Sequence, residues 1–140
     1  MTSLQITLGT PEHGWLPVDF RYGDFILDFT ASDVSNDPIE ELYNTVIKIQ
    51  NGEIRRVTWW LEPGAYYFDF KKTRTNILLS ISETEDLHNA NASQKTLTTI
   101  TGDSKQILDP FRYVLKQFYS QTFETRHWPY KMDKAKVDML

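Results

Sequence analysis

Three histidines, His13, His88 and His127, are the first candidates for metal ligation or proton transfer, and no cysteine accompanies them. No two of them stand one helical turn apart, the spacing that sets a pair of imidazoles on one helix face for zinc. Glu85-Asp86-Leu87-His88 gathers oxygen and nitrogen donors, but in a segment rich in Asn and Ser, where charges are ordinarily solvated. His127 follows a helical stretch and can face its negative end. Neither a G-x-S-x-G nucleophile turn nor a G-x-x-x-x-G-K phosphate loop occurs. Glu62 beside Pro63-Gly64, or Asp28 with Asp69 on neighbouring strands, could pair for acid–base work, although scattered surface acids account for them more simply. These residues assign no catalytic group, no metal and no cofactor.

The aromatic residues carry more information. Adjacent Trp59 and Trp60 must point to opposite faces of a regular strand, and Val57 and Leu61 put Trp59 on the apolar side. Trp60 is therefore expected on an open face. The same parity places Asp19, Arg21, Asp28, Thr30, Arg56, Thr58, Tyr67, Asp69 and Ser80 beside it. A face bearing Trp60, Tyr67, Arg56, Asp69, Asp28, Asp19 and Arg21 has the composition of a protein-binding surface, with rigid aromatics for area and charges for register. Three alternatives stay open: a plain Trp60–Tyr67 cross-strand pair, a C-terminal tail with Trp128 and Tyr130 folded over them, or closure of a homodimer by the same face.

The elements that must position these side chains follow from periodicity. Leu4, Ile6 and Leu8 alternate as a strand, as do Leu16, Val18 and Phe20, and then Phe25, Leu27 and Phe29 after a Tyr22-Gly23-Asp24 turn. Asp37-Pro38-Ile39-Glu40 predicts a helix start, with Asp37 as cap, Pro38 in the first turn and Glu40 reaching back to the cap amide. Ile39, Leu42, Tyr43, Val46, Ile47 and Ile49 fall mostly on one apolar stripe, and Asn51-Gly52 can end the helix. Period two returns at Val57, Trp59 and Leu61, at Tyr66, Phe68 and Phe70, and at Ile77, Leu79 and Ile81, which predicts a meander. Residues 82–93 read as a mobile loop. A Thr-rich strand follows over about 95–101, and then a helix from near Asp103 that Pro110 kinks or restarts.

This order predicts an α+β fold. The expected form is a two-layer sandwich, an antiparallel sheet of about five to seven strands with two helices packed on one face. Residues 1–130 form its single domain and residues 131–140 a charged, flexible tail. At 140 residues, 40% of them apolar, the chain can bury one core without disulfides. It shows no secretory leader and no apolar run long enough to span a bilayer, so a cytoplasmic location is expected. Residues 1–62 carry a net charge of −6 and residues 63–140 a net +2. Nucleic-acid binders normally show a basic face; an acidic first half fits a basic protein partner better.

His13-Gly14-Trp15-Leu16-Pro17-Val18, Asn36-Asp37-Pro38-Ile39-Glu40-Glu41-Leu42 and Trp59-Trp60-Leu61-Glu62-Pro63-Gly64 resemble segments of a group of small bacterial proteins. Some relatives of that group look like immunity proteins of polymorphic toxin systems. The resemblance covers about the first two thirds of the chain and transfers no catalytic residue. It implies a small, acidic, cytoplasmic protein that neutralises a basic toxin by binding it. The expected function is thus a non-catalytic protein-binding module. The alternatives are a small-ligand binder or enzyme with a pocket between sheet and helices, using Glu62, Asp69 or His13, and a homo-oligomeric structural protein.

Overall fold

The computed structural model describes residues 2–86, 93–130 and 133–140. The readings of His88 and of residues 87–92 of the expected 82–93 loop lie outside these residues, and Ser82, Glu83 and Thr84 are strand rather than loop because they pair with β-structure on both sides. Seven strands form: β1 (Leu4–Leu8), β2 (Trp15–Tyr22), β3 (Phe25–Ser32), β4 (Ile54–Trp60), β5 (Ala65–Lys72), β6 (Ile77–Thr84) and β7 (Gln94–Gly102). Helix α1 (Pro38–Lys48) separates β3 from β4, helix α2 (Ser104–Tyr119) follows β7, and a short 3-10 helix spans Lys134–Met139. Among the described residues no helix is long and apolar enough to cross a membrane.

The α+β class and the antiparallel pairing are as the sequence predicts, but the single sheet is not. The strands form two sheets, β1-β2-β3 and β4-β5-β6-β7. The local reason is a pair of side-chain caps on β4. Asn36 Nδ2 donates to the Thr58 carbonyl at 2.7 Å, and the Thr58 N–H donates to Glu41 Oε1 at 2.9 Å. Backbone groups that a neighbouring strand would take are thus already bonded, and β3 meets the second sheet through side chains, Phe29 lying 5.8 Å from Trp59 and 4.8 Å from Tyr66 between ring centroids.

The inner faces of both sheets share one core, so the helices do not simply cover one side of one sheet. Phe20 of β2 reaches Phe68 of β5 at 5.4 Å, and Phe111 of α2 packs against Phe20 and, at 5.2 Å, against Phe70. All four rings are fully buried, each worth about 2–3 kcal/mol of transfer free energy. Helix α2 lies against β1, β6 and β7, while α1 lies against β4 and α2.

Both helices start where the sequence says. Asp37 accepts the Ile39 and Glu40 N–H groups. Glu40, expected to return to the cap amide, pairs instead with Lys136 of the 3-10 helix. The reciprocal capping box forms at α2, between Asp103 and Gln106. Helix α2 runs unbroken through Pro110. The tail expected to be flexible contributes the 3-10 helix, which packs on α2. Among the described residues, two other than glycine adopt positive φ, His13 at 50° and Glu62 at 55°, an uncommon and strained conformation for a side-chain-bearing residue.

Candidate functional site

The residues singled out from the sequence fall into two groups, one on the outer face of each sheet. On the four-stranded sheet, Trp60, Ala65 and Tyr67 form a small apolar cluster away from the main core. Trp60 is only 8% exposed and Tyr67 9%, so neither is the free aromatic anchor that parity suggested. They are diagonal neighbours, with Trp60 opposite Ala65 and Thr58 opposite Tyr67. The expected covering tail lies elsewhere: Trp128 packs on Phe118 and Tyr130, and the Tyr130 hydroxyl donates to the carbonyls of Asp33 and Asn36.

Arg56 and Asp69 stand directly opposite each other across β4 and β5. Their bond is bidentate, Nε to Oδ1 at 2.7 Å and Nη2 to Oδ2 at 2.9 Å, and the guanidinium lies 3.9 Å from the centre of the Tyr67 ring. The hydrogen bond to Asp69 raises the Arg56 pKa further above its ordinary value. Gln94 of β7 extends the network, accepting from Arg56 at 3.3 Å and donating to Ser82 Oγ at 2.9 Å. Arg56 and Asp69 thus balance each other's charge within the sheet.

The outer face of the three-stranded sheet differs. Asp19 and Asp28 are exact cross-strand partners in the β2–β3 register. Arg21, two residues along β2, bonds Asp19 at 2.9 and 3.3 Å, which lowers the Asp19 pKa and raises that of Arg21, with Asp28 adding to the latter through charge alone. One guanidinium therefore serves two carboxylates. Trp15, 38% exposed, projects from the same side of β2 as Asp19 and Arg21, and exposed Ile26 sits opposite Arg21. Sequence reasoning passed over Trp15 by starting the strand at Leu16. The available signal was parity, since Trp15 alternates against buried Leu16, Val18 and Phe20.

A third group surrounds the strained turns. Glu12 and Trp15 exchange backbone hydrogen bonds across a two-residue turn whose central residues, His13 and Gly14, both have positive φ. The tip is pinned from across the chain. The His13 N–H donates to His127 Nδ1 at 3.1 Å and the Gly14 N–H to the His127 carbonyl at 2.9 Å. The two imidazoles meet edge-on, 4.8 Å between centroids. Because Nδ1 of His127 accepts, the neutral ring carries its proton on Nε2, which makes that nitrogen a donor rather than a base or ligand. Asp33 lies behind Gly14, close enough that a Cβ there would stand 2.7 Å from its carboxylate. Burial raises the Asp33 pKa, and the charge of Glu62 adds to the rise. Of the catalytic alternative, Glu62 thus acts on Asp33 through charge and His13 contacts His127, whereas Asp69 belongs to the other sheet with Arg56.

A cavity of about 140 Å³ opens where β1, β7 and the start of α2 meet. Leu4, Ile100 and Ile107 give it apolar walls, Thr2, Ser3 and Thr101 give hydroxyls, and Tyr22 is the one ionisable side chain among the described residues lining it. Among the described residues no three His, Asp or Glu side chains converge as metal ligands. Compared with known proteins, the chain matches no protein-family model, no curated protein and no solved structure.

Proposed function

We propose that this protein is a non-catalytic cytoplasmic binding module that offers the outer face of its three-stranded sheet to a basic protein. The observation that carries the reading is the Asp19–Asp28 opposition, served among the described residues by Arg21 and lying beside exposed Trp15. Like charges directly across a sheet oppose folding. A cation supplied by a partner would relieve that repulsion, and a half-exposed tryptophan supplies the rigid area that dominates binding energy at such surfaces. The acidic first half of the chain would steer a basic partner onto this face. The resemblance to immunity proteins makes a toxin the class of partner expected.

The test is affinity capture of the tagged protein from its native cytoplasm, run beside a Trp15→Ala/Asp28→Asn variant and a Trp60→Ala variant. The reading expects one basic protein, recovered by wild type and by Trp60→Ala, released by salt, and lost from the double variant. Equal recovery by all three would move the interface elsewhere. Recovery of no protein would overturn the binding-module reading and favour a small-ligand function.

A further inference from the structure

On the helical side of the molecule, away from both outer sheet faces, the ammonium of Lys136 sits in a cage of aromatic and acidic groups. Its Nζ lies 4.8 Å from the centre of the Tyr43 ring and 5.8 Å from that of Tyr119. The two rings meet at 83° with 5.8 Å between centroids, so they present two nearly perpendicular walls. Glu40 pairs directly with the ammonium, and Asp37 feels its charge. Tyr43 is 7% exposed and Tyr119 3%, so these walls are desolvated while Lys136 is seated.

The walls and the occupant belong to parts of the fold with very different support. Asp37, Glu40 and Tyr43 are the cap and first turns of α1, and Tyr119 closes α2. Both helices are anchored in the main core by fully buried side chains such as Leu42 and Phe111. Lys136 rides on a 3-10 helix of six residues with no fully buried residue, held to the core through partly buried Val137 and the adjoining Leu140. The seat is therefore built independently of what fills it.

Two perpendicular, desolvated ring faces with one pairing carboxylate suit a compact cation. An ammonium on an alkyl stem can touch both rings at once, whereas a planar guanidinium stacks on one. We propose that Tyr43, Tyr119 and Glu40 form a binding site for an alkylammonium group, such as a lysine side chain of another protein, which Lys136 occupies as an internal ligand. Lifting the 3-10 helix opens the site. This inference uses no part of the three-stranded sheet and stands or falls separately from the proposed binding face.

The experiment is an NMR titration of the full chain with n-butylammonium, following the ring signals of Tyr43 and Tyr119, in wild type and in Lys136→Ala. Lys136→Ala is expected to show saturable shifts at both tyrosines. Wild type should need more ligand, by a factor set by the ratio of the tethered occupant's effective concentration, on the order of millimolar, to its dissociation constant for the site. In the Lys136→Ala background, Tyr43→Leu and Glu40→Gln should each weaken the response; Glu40→Gln, at a partly exposed position, keeps the test valid if Tyr43→Leu does not fold. Absence of saturable shifts in Lys136→Ala would overturn the proposal. Equal affinity in wild type would overturn the role of Lys136 as occupant.

Discussion

The carboxylate of Glu41 accepts the backbone N–H of Thr58 at 2.9 Å and the side-chain amide of Asn36 at 3.0 Å, while the same amide donates to the Thr58 carbonyl. A helix residue and a loop residue thus impersonate a neighbouring strand at the edge of β4. Burial of this carboxylate raises its pKa, and the two hydrogen bonds it accepts only partly offset that. Removing the acceptor and removing only the charge should therefore differ in cost. Glu41→Ala leaves the Thr58 N–H unsatisfied and is expected to cost about 1–3 kcal/mol. Glu41→Gln keeps an acceptor without a buried charge and should be close to neutral at pH 7. Urea unfolding of the two variants checks the pair, and equal loss in both would mean that the charge itself holds the clip.

Asp37 gives a pH dependence of definite sign. Burial lifts its pKa from 3.8 to about 6, against the opposing effect of the N–H groups of Glu40 and Ile39 that it caps. A carboxyl group whose folded pKa exceeds its unfolded value binds its proton more tightly in the folded state, so its contribution to stability rises as pH falls between the two values. Half-buried Asp19 and Glu53, whose pKa values Arg21 and Arg55 lower, act oppositely and lose their contribution below about pH 4. Melting temperature should thus rise, or fall less steeply, on acidification from pH 7 to 5. Asp37→Asn retains a good cap but cannot titrate, and should remove that part of the profile. An unchanged profile in Asp37→Asn would assign the dependence to other groups.

Periodicity made the inward side of each strand legible, because side-chain direction along a strand is a local property. Trp59, Phe68, Phe70, Leu79 and Ile81 are all fully buried on the side that alternation assigns to them. What parity does not encode is cover. It placed Trp60 on the outer face correctly, yet gave no sign that the residue would be buried there. Nor does it encode contacts made across long stretches of chain. Asn36 and Glu41 split the sheet from 22 and 17 residues away, and Lys136 takes Glu40 from a distance of 96. Of the candidate site, Arg56 with Asp69 and Asp19 with Asp28 do come together as cross-strand neighbours. Their separation onto two sheets could not be read from local pattern.

Asp28 offers a way to separate binding from stability. Its carboxylate faces that of Asp19 across the register, and no cation bonds it among the described residues. Asp28→Asn removes the repulsion at an exposed position and should leave the melting temperature unchanged or slightly higher. If the face receives a basic partner, the same substitution should slow association, and the difference from wild type should shrink as salt screens both. Stopped-flow or surface-capture kinetics at two ionic strengths would show this. A faster dissociation rate with unchanged association would instead mark Asp28 as a directly paired contact.

Tyr130 ties the segment after α2 to the turn between β3 and α1. Its hydroxyl donates toward the carbonyls of Asp33 and, at 2.6 Å, Asn36, and its ring packs on Trp128 at 5.4 Å. Burial and the nearby charges of Asp37, Asp33 and Glu41 raise the pKa of the phenol, so it stays protonated as a donor well above neutral pH. Tyr130→Phe keeps the ring contact and deletes the donor, leaving two carbonyls short of a partner, and should cost about 1–2 kcal/mol. Tyr130→Ala also removes the packing and should cost more. Asn36 supplies the consequence that distinguishes a local tie from a wider one. Because its side chain caps Thr58, loosening its carbonyl should also speed hydrogen exchange of the Thr58 amide. Faster exchange confined to residues 124–130 would mean that Tyr130 holds only its own segment.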